Sequence, residues 1–194
     1  MIFALTAFVM MLPFFVVVLL SVWITGKSSP FFRQLRPGKD AKPFNVIKFK
    51  TMTEKKDSQG HHLPDDQRLT AIGKLVRKTS LDELPQLLNV IGGQMSLIGP
   101  RPLLMEYLEL YSPEQRRRHE IRPGITGWAQ VNGRNTVEWR ERFAYDVWYV
   151  DNVSFLLDVK ILWLTLIKVL RAEGISGKTS ITMEKFKGNT DQEK

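Results

Sequence analysis

The chain has 194 residues, enough for one modest domain with its own core in addition to an apolar N-terminal segment. A formal net charge of +8 and a pI near 9.8 suit anionic lipid headgroups, phosphorylated substrates or nucleic acid, and charge alone does not choose among them. The absence of cysteine excludes a disulfide framework and any thiolate site.

Met1 to Ile24 carries no ionisable side chain. As one helix, 24 residues rising ~1.5 Å each reach about 36 Å, enough to cross a bilayer core. Pro13 stands in the middle, where it removes a helix hydrogen bond and crowds the preceding turn. Two arrangements follow: a kinked spanning helix, or a re-entrant helix-break-helix that enters and leaves on one face. A cleaved secretory signal does not fit, because no basic stretch precedes the apolar run and no small-residue cleavage pattern follows it. Lys27, Arg33, Arg36, Lys39, Lys42, Lys48 and Lys50 come next, against Asp40, so this side reads as cytoplasmic.

Phe31 to Gln34 and Phe44 to Met52 read as two strands of a hairpin, with a turn at Arg36-Pro37-Gly38-Lys39. Glu54 to Asp66 is polar, holds Gly60 and Pro64, and reads as an exposed loop. A helix is predicted over Arg68 to Arg77. Leu81, Leu84, Leu87, Leu88 and Ile91 then recur at helical spacing up to a stop at Gly92-Gly93. Leu103 to Tyr111, Glu114 to Glu120 and Thr136 to Tyr149 are read as further helices, with a glycine-rich loop over Pro123 to Arg134. Phe155 to Leu170 is a strongly apolar helix that Ser154 can cap; it either lies flat in a headgroup layer or packs inside the core. The last twenty residues are polar and read as loosely ordered. No internal repeat is present.

Asp82-Glu83 is the most informative pair. Ser80-x-x-Glu83 matches a capping box, so Glu83 can simply close a helix N-terminus. The same position also serves chemistry: a helix end keeps Asp82 ionised as a nucleophile, and two adjacent carboxylates can share a divalent cation. Arg101, between Pro100 and Pro102, has little backbone freedom and suits bidentate phosphate binding. Arg134 and Lys48 are further candidates for an anion. Arg116-Arg117-Arg118 reads as a solvated or headgroup-facing charge run, and His61-His62 falls in a polar loop without partner ligands.

Four segments in order carry a resemblance: Lys48-Phe49-Lys50-Thr51-Met52, Ser80 to Gln86, Gly99-Pro100-Arg101-Pro102, and Arg122 to Arg134. They resemble the motifs of the small bacterial sugar transferases, the monotopic phosphoglycosyl transferases of the PglC type. One departure is that this chain opens directly in its apolar run, without the few basic residues usual there. The resemblance implies a mainly α fold with a small β-hairpin (α+β), a re-entrant membrane helix over residues 1–26 broken at Pro13, and a cytoplasmic, interfacial catalytic domain over 27–194. It implies transfer of a sugar 1-phosphate from a UDP-sugar to undecaprenyl phosphate, with release of UMP through a covalent aspartyl intermediate. Asp82 would then be the nucleophile and Glu83 the Mg²⁺ ligand. Arg101 and Arg134 would bind phosphate, with Lys48 and Asp158 supporting the site, although Asp158 could equally cap its helix. The tail Thr182 to Gly188 resembles that of enzymes acting on UDP-N,N′-diacetylbacillosamine. The implied location is the cytoplasmic face of a bacterial inner membrane, with later glycosyltransferases of the same pathway as further partners. The competing readings are a non-catalytic basic membrane adaptor and a nucleic-acid binder, and no nucleic-acid motif supports the latter.

Overall fold

A computed structural model describes residues 2–26, 29–133, 137–171 and 185–189. Helix α1, Ile2–Gly26, runs through Pro13 with helical backbone on both sides, so the break expected there is not present. The proline withholds one N–H, and the turns on either side keep their own bonds. α1 is long and apolar enough to cross a membrane by length and composition. One stripe of it packs inward: Ala4 sits with Phe44, Val46, Val90 and Met95, and Phe15, Val18 and Val22 sit with Phe49 and Val76. Val9, Met10, Val17 and Ile24 face outward.

The hairpin forms as read. β1 (Phe31–Pro37) and β2 (Pro43–Phe49) pair antiparallel, with Phe31 opposite Phe49. Those two rings stack at 5.7 Å, and Phe15 of α1 reaches Phe49 at 5.0 Å. The predicted helix over 68–77 divides, because Leu69 is extended: α2 spans Asp65–Arg68 and α3 spans Ala71–Lys78, capped by Thr70. The exposed loop between β2 and α2 is where it was expected. The capping box at Ser80 is not formed. Ser80 adopts a left-handed conformation, residues 81–83 make a single 3₁₀ turn, and α4 (Gln86–Ile91) begins only after Pro85. Pro85 has no N–H to give, so the Leu81 carbonyl is met by Leu84 instead. α4 ends at Gly92-Gly93 as predicted, with Gly93 at positive φ. Its buried Asn89 donates to the Asn45 carbonyl and accepts from Ile47 N–H, which ties α4 to β2.

Two short strands were not foreseen. β3 (Ser96–Ile98) and β4 (Gly124–Thr126) pair in parallel, and α6 (Trp128–Asn132) follows, all within a stretch partly read as loop. The approach is so close that a Cβ on Gly127 would lie 2.2 Å from the Gly99 carbonyl oxygen. The helix predicted over 103–111 is only a 3₁₀ turn at residues 105–107, while Leu103, Tyr107 and Tyr111 enter an aromatic cluster with Phe143 and Phe186. α5 (Pro113–Arg116) is a short helix with a true capping box, Ser112 with Gln115. α7 (Trp139–Asp151) and α8 (Phe155–Leu170) complete the chain, and Ser154 caps α8 as predicted. Of the last twenty residues only 185–189 are among those described, and they are held in place: Phe186 is buried and Asn189 bonds Gln115 and the Leu110 carbonyl. On α8 Ile161 is fully buried, whereas Phe155, Leu156, Trp163 and Leu170 are exposed.

Candidate active site

The hairpin, the 81–83 turn and the loop after β3 converge on Glu83. Lys48, near the end of β2, donates to its Oε1 at 2.7 Å. Arg101 donates Nη2 to the same oxygen at 2.6 Å and Nη1 to Oε2 at 3.4 Å. The 3₁₀ turn is what lets two neighbouring carboxylates part company: Glu83 is gripped, while Asp82 accepts no hydrogen bond among the described residues. Burial would raise the Glu83 carboxyl, but the charges of Arg101 and Lys48 outweigh it and hold the group well below the usual carboxylate range. Asp82 goes the other way, pushed up by burial and then by the Glu83 charge.

Arg101 is placed by its backbone as well as by its prolines. Arg118 donates Nη2 to the Arg101 carbonyl at 2.7 Å, and Nε and Nη2 to Asp146 at 3.1 and 2.7 Å. This corrects the reading of the arginine run: Arg116 is exposed and Arg117 pairs with Glu114, Glu120 and Asp151, but Arg118 is 2% exposed. Burial opposes its charge, and Asp146 with Tyr111 restores it.

Asp82, Glu83, Lys48 and Arg101 line one groove of about 1460 Å³. Arg77, Gln130 and Arg142 line it too and were missed. Arg77 Nε bonds Thr51 Oγ1 at 2.8 Å; it lies five residues before Asp82, close enough in sequence to have been suspected. Arg142 is buried over the Trp139 ring, which lowers its guanidinium to about 10 and leaves it charged at neutral pH. Its spacing of four from Asp146 on α7 was a readable signal. Asp158 is not brought to the acid pair. It accepts the Tyr149 hydroxyl at 2.6 Å and does not line the groove. Arg134 lies outside the described residues. His61 and His62 are exposed beside Asp57 and Glu54.

Among the described residues no group of three or more His, Asp or Glu could hold a metal on its own. The acid pair still fits Mg²⁺, which keeps several waters and is usually bound by one or two carboxylates together with substrate phosphates. Glu83 Oε1 receives both short bonds, so Oε2, with one long contact, has lone pairs to spare. Chemically, the arrangement offers an uncommitted carboxylate beside fixed cations, which suits attack on a phosphorus centre.

Residues 1–172 match the bacterial sugar transferase family. The chain is 60% identical over 164 residues to the uncharacterized sugar transferase EpsL of Bacillus subtilis, covering 84% of this chain and 81% of that one. It is 43% identical over 166 residues to the UDP-glucose:undecaprenyl-phosphate glucose-1-phosphate transferase of Klebsiella pneumoniae, covering 80% of this chain and 36% of that one. Against the UDP-galactose-lipid carrier transferase of Erwinia amylovora it is 37% identical over 188 residues, covering 88% and 39%. The chain thus spans most of the Bacillus relative and little more than a third of the other two.

Proposed function

Because the chain belongs to the bacterial sugar transferase family, we propose that it moves a sugar 1-phosphate from a UDP-sugar to undecaprenyl phosphate. In this reading an Asp82 carboxylate oxygen attacks the β-phosphorus. The bond from that phosphorus to the bridging oxygen breaks, and UMP departs with the electron pair. An oxygen of the polyprenyl phosphate then attacks the same phosphorus, the aspartyl–phosphorus bond breaks, and Asp82 returns as a carboxylate. Covalent catalysis separates two anionic partners, so one groove need not hold both.

The observation that carries this reading is the division of labour in the acid pair. Glu83 is committed to two cations, whereas its neighbour in the same groove accepts no hydrogen bond among the described residues. Arg101, Lys48 and Arg77 would offset charge on the transferring phosphoryl group. Glu83, together with the donor's phosphates, would hold Mg²⁺, which supplies further charge neutralisation when bound. Arg134, within the motif Arg122 to Arg134, would bind phosphate, while Asp158 would act at most through its bond to Tyr149.

The protein would act at the cytoplasmic face of a bacterial inner membrane. α8 walls the groove with Leu162, Thr165 and Val169 while Phe155, Trp163 and Leu170 stay exposed, so that burying those residues in the headgroup layer brings the groove to the acceptor. α1 touches the domain from Ala4 to Val22, about 27 Å of helix. A helix flanked by protein over that length cannot cross the hydrocarbon without drawing the domain in; entry and exit on one face would in addition require α1 to bend in the membrane at Pro13, where one N–H is missing. Cysteine labelling finding the two ends of α1 on opposite faces would overturn that arrangement.

The decisive test is mass spectrometry of protein loaded with UDP-sugar and no acceptor, using a panel led by UDP-N,N′-diacetylbacillosamine and including UDP-glucose and UDP-galactose. Wild type is expected to release UMP and gain a phosphosugar, while Asp82→Asn does neither. An adaptor without catalysis would release no UMP from any member of the panel.

A further inference from the structure

Gln130 is the residue on the groove wall that the acid-pair chemistry does not use. It lies on α6, and its side chain folds back over Gly127, with Oε1 3.0 Å from where a Cβ on that glycine would stand. Both Oε1 and Nε2 are shielded from solvent, and neither has a hydrogen-bond partner among the described residues. Nothing in the fold therefore explains the carboxamide. A buried amide without partners is costly, and native folds keep such groups rarely and for a reason.

The groove says what could satisfy it. A carboxamide needs an acceptor for Nε2 and, beside it, a donor for Oε1. A phosphate dianion has no donor to offer, and a polyprenyl chain has neither. An amide-type edge has both. We propose that Gln130 is a specificity-determining residue that pairs with such an edge on the donor substrate, either the N–H and C=O of the uracil imide or those of an acetamido group on the sugar. The proposal rests on the groove being a UDP-sugar site. It explains why the position holds a group that weakens the ligand-free fold: on binding the amide would turn from its seat over Gly127 toward the groove and complete its hydrogen bonds, so a donor lacking them leaves the amide unmet and is rejected.

The test uses the full-length protein in lipid nanodiscs and compares Gln130→Met with Gln130→Glu. Met keeps the length and removes both polar atoms; Glu keeps the shape and the acceptor but loses the donor. Both are expected to raise KM for the UDP-sugar by about 10- to 100-fold, with the loss falling mainly on KM. Gln130→Met is expected to melt no lower than wild type without ligand, a result that a structural role would not give. The two sources separate cleanly. Weakened UMP binding by calorimetry, with all sugars affected alike, assigns the uracil edge; unchanged UMP binding, with only acetamido sugars affected, assigns the sugar. Unchanged KM and UMP binding in both variants, or a lowered melting temperature in Gln130→Met, would overturn the proposal. If wild type turns over no UDP-sugar, the transfer reaction fails, and calorimetry of UMP and of UDP-sugars with and without an acetamido group still decides: weakened binding of either kind in the variants supports Gln130, and unchanged binding of all of them overturns it.

Discussion

Replacing Asp146 by leucine tests the cost of taking the countercharge from two buried arginines, Arg118 and Arg142, beside the groove. Arg118 and Asp146 are 1% and 2% exposed at their side chains, so neither has water to fall back on. Without Asp146 the guanidinium keeps two neutral acceptors, the Tyr111 hydroxyl at 3.1 Å and the Arg101 carbonyl at 2.7 Å, but no countercharge. Breaking a buried pair this way costs about 3–5 kcal/mol. In a protein of this size each kcal/mol moves the melting temperature by roughly 2–4 °C, so a fall of about 6–20 °C is expected. Thermal unfolding in nanodiscs, followed by tryptophan fluorescence, measures it. The double variant Arg118→Met/Asp146→Leu should regain part of the loss, since Arg118 no longer carries a buried charge while Arg142 still lacks that of Asp146. It should nonetheless turn over poorly, because the Arg101 carbonyl has lost its donor. A single variant within about 1 kcal/mol of wild type would refute the reasoning, as would a double variant no more stable than the single.

Glu83→Gln should shift the acid limb of residual turnover to lower pH. Burial and then the Glu83 charge raise Asp82, and the substitution removes that charge and frees Lys48 and Arg101 to favour the Asp82 anion; an unmoved or rising limb in the pH–rate profile would contradict the pairing. His119 is held down to about 4 by burial and by Arg118. Its neutral form is therefore native, and the stability tied to it is intact above about pH 6.5 and lost as pH falls toward 4, by about 3 kcal/mol. Chemical denaturation across that range should show the loss in wild type and not in His119→Gln. EDTA should abolish turnover and Mg²⁺ restore it, in the UMP-release assay; undiminished turnover in EDTA would remove the metal role from Glu83.

Most of what was legible in the sequence depended on local rules. The Phe31 and Phe44 strands, the stop at Gly92-Gly93 and the Ser154 cap all follow from residues within a few positions of one another. The errors came where distant partners decide. Ser80-x-x-Glu83 and Ser112-x-x-Gln115 carry the same pattern, yet only the second forms a capping box. Pro113 opens the second helix, whereas Pro85 interrupts the first, and Glu83 has better partners in Lys48 and Arg101, 35 and 18 residues away. Arg118 is indistinguishable from Arg116 and Arg117 by composition; what separates them is Asp146, on a helix not yet folded when the sequence is read. β3 and β4 are three residues each, too short to show alternation, and exist because they pair with one another. Within the site, Lys48, Asp82, Glu83 and Arg101 were legible as motif residues, and their mutual contacts were not.

The physics of the acid pair bears on why two carboxylates would be used where the proposed reaction needs one nucleophile. An aspartate alone among Lys48, Arg77 and Arg101 would be paired by them, its oxygens occupied and its basicity lowered. Glu83 absorbs the two nearest cations and lends its own negative charge to its neighbour's surroundings. Environments that drive adjacent acids apart are a recognised means of giving them different tasks. Here the consequence is specific: the group with the depressed pKa is the one held by Lys48 and Arg101, and the raised one is left open to the groove. Exchanging the two residues, as in Asp82→Glu/Glu83→Asp, preserves net charge but shortens the reach to Lys48 and Arg101 and lengthens it toward the groove. If the division of labour is geometric, that swap should lose turnover about as completely as Asp82→Asn; retained turnover would mean that charge alone suffices.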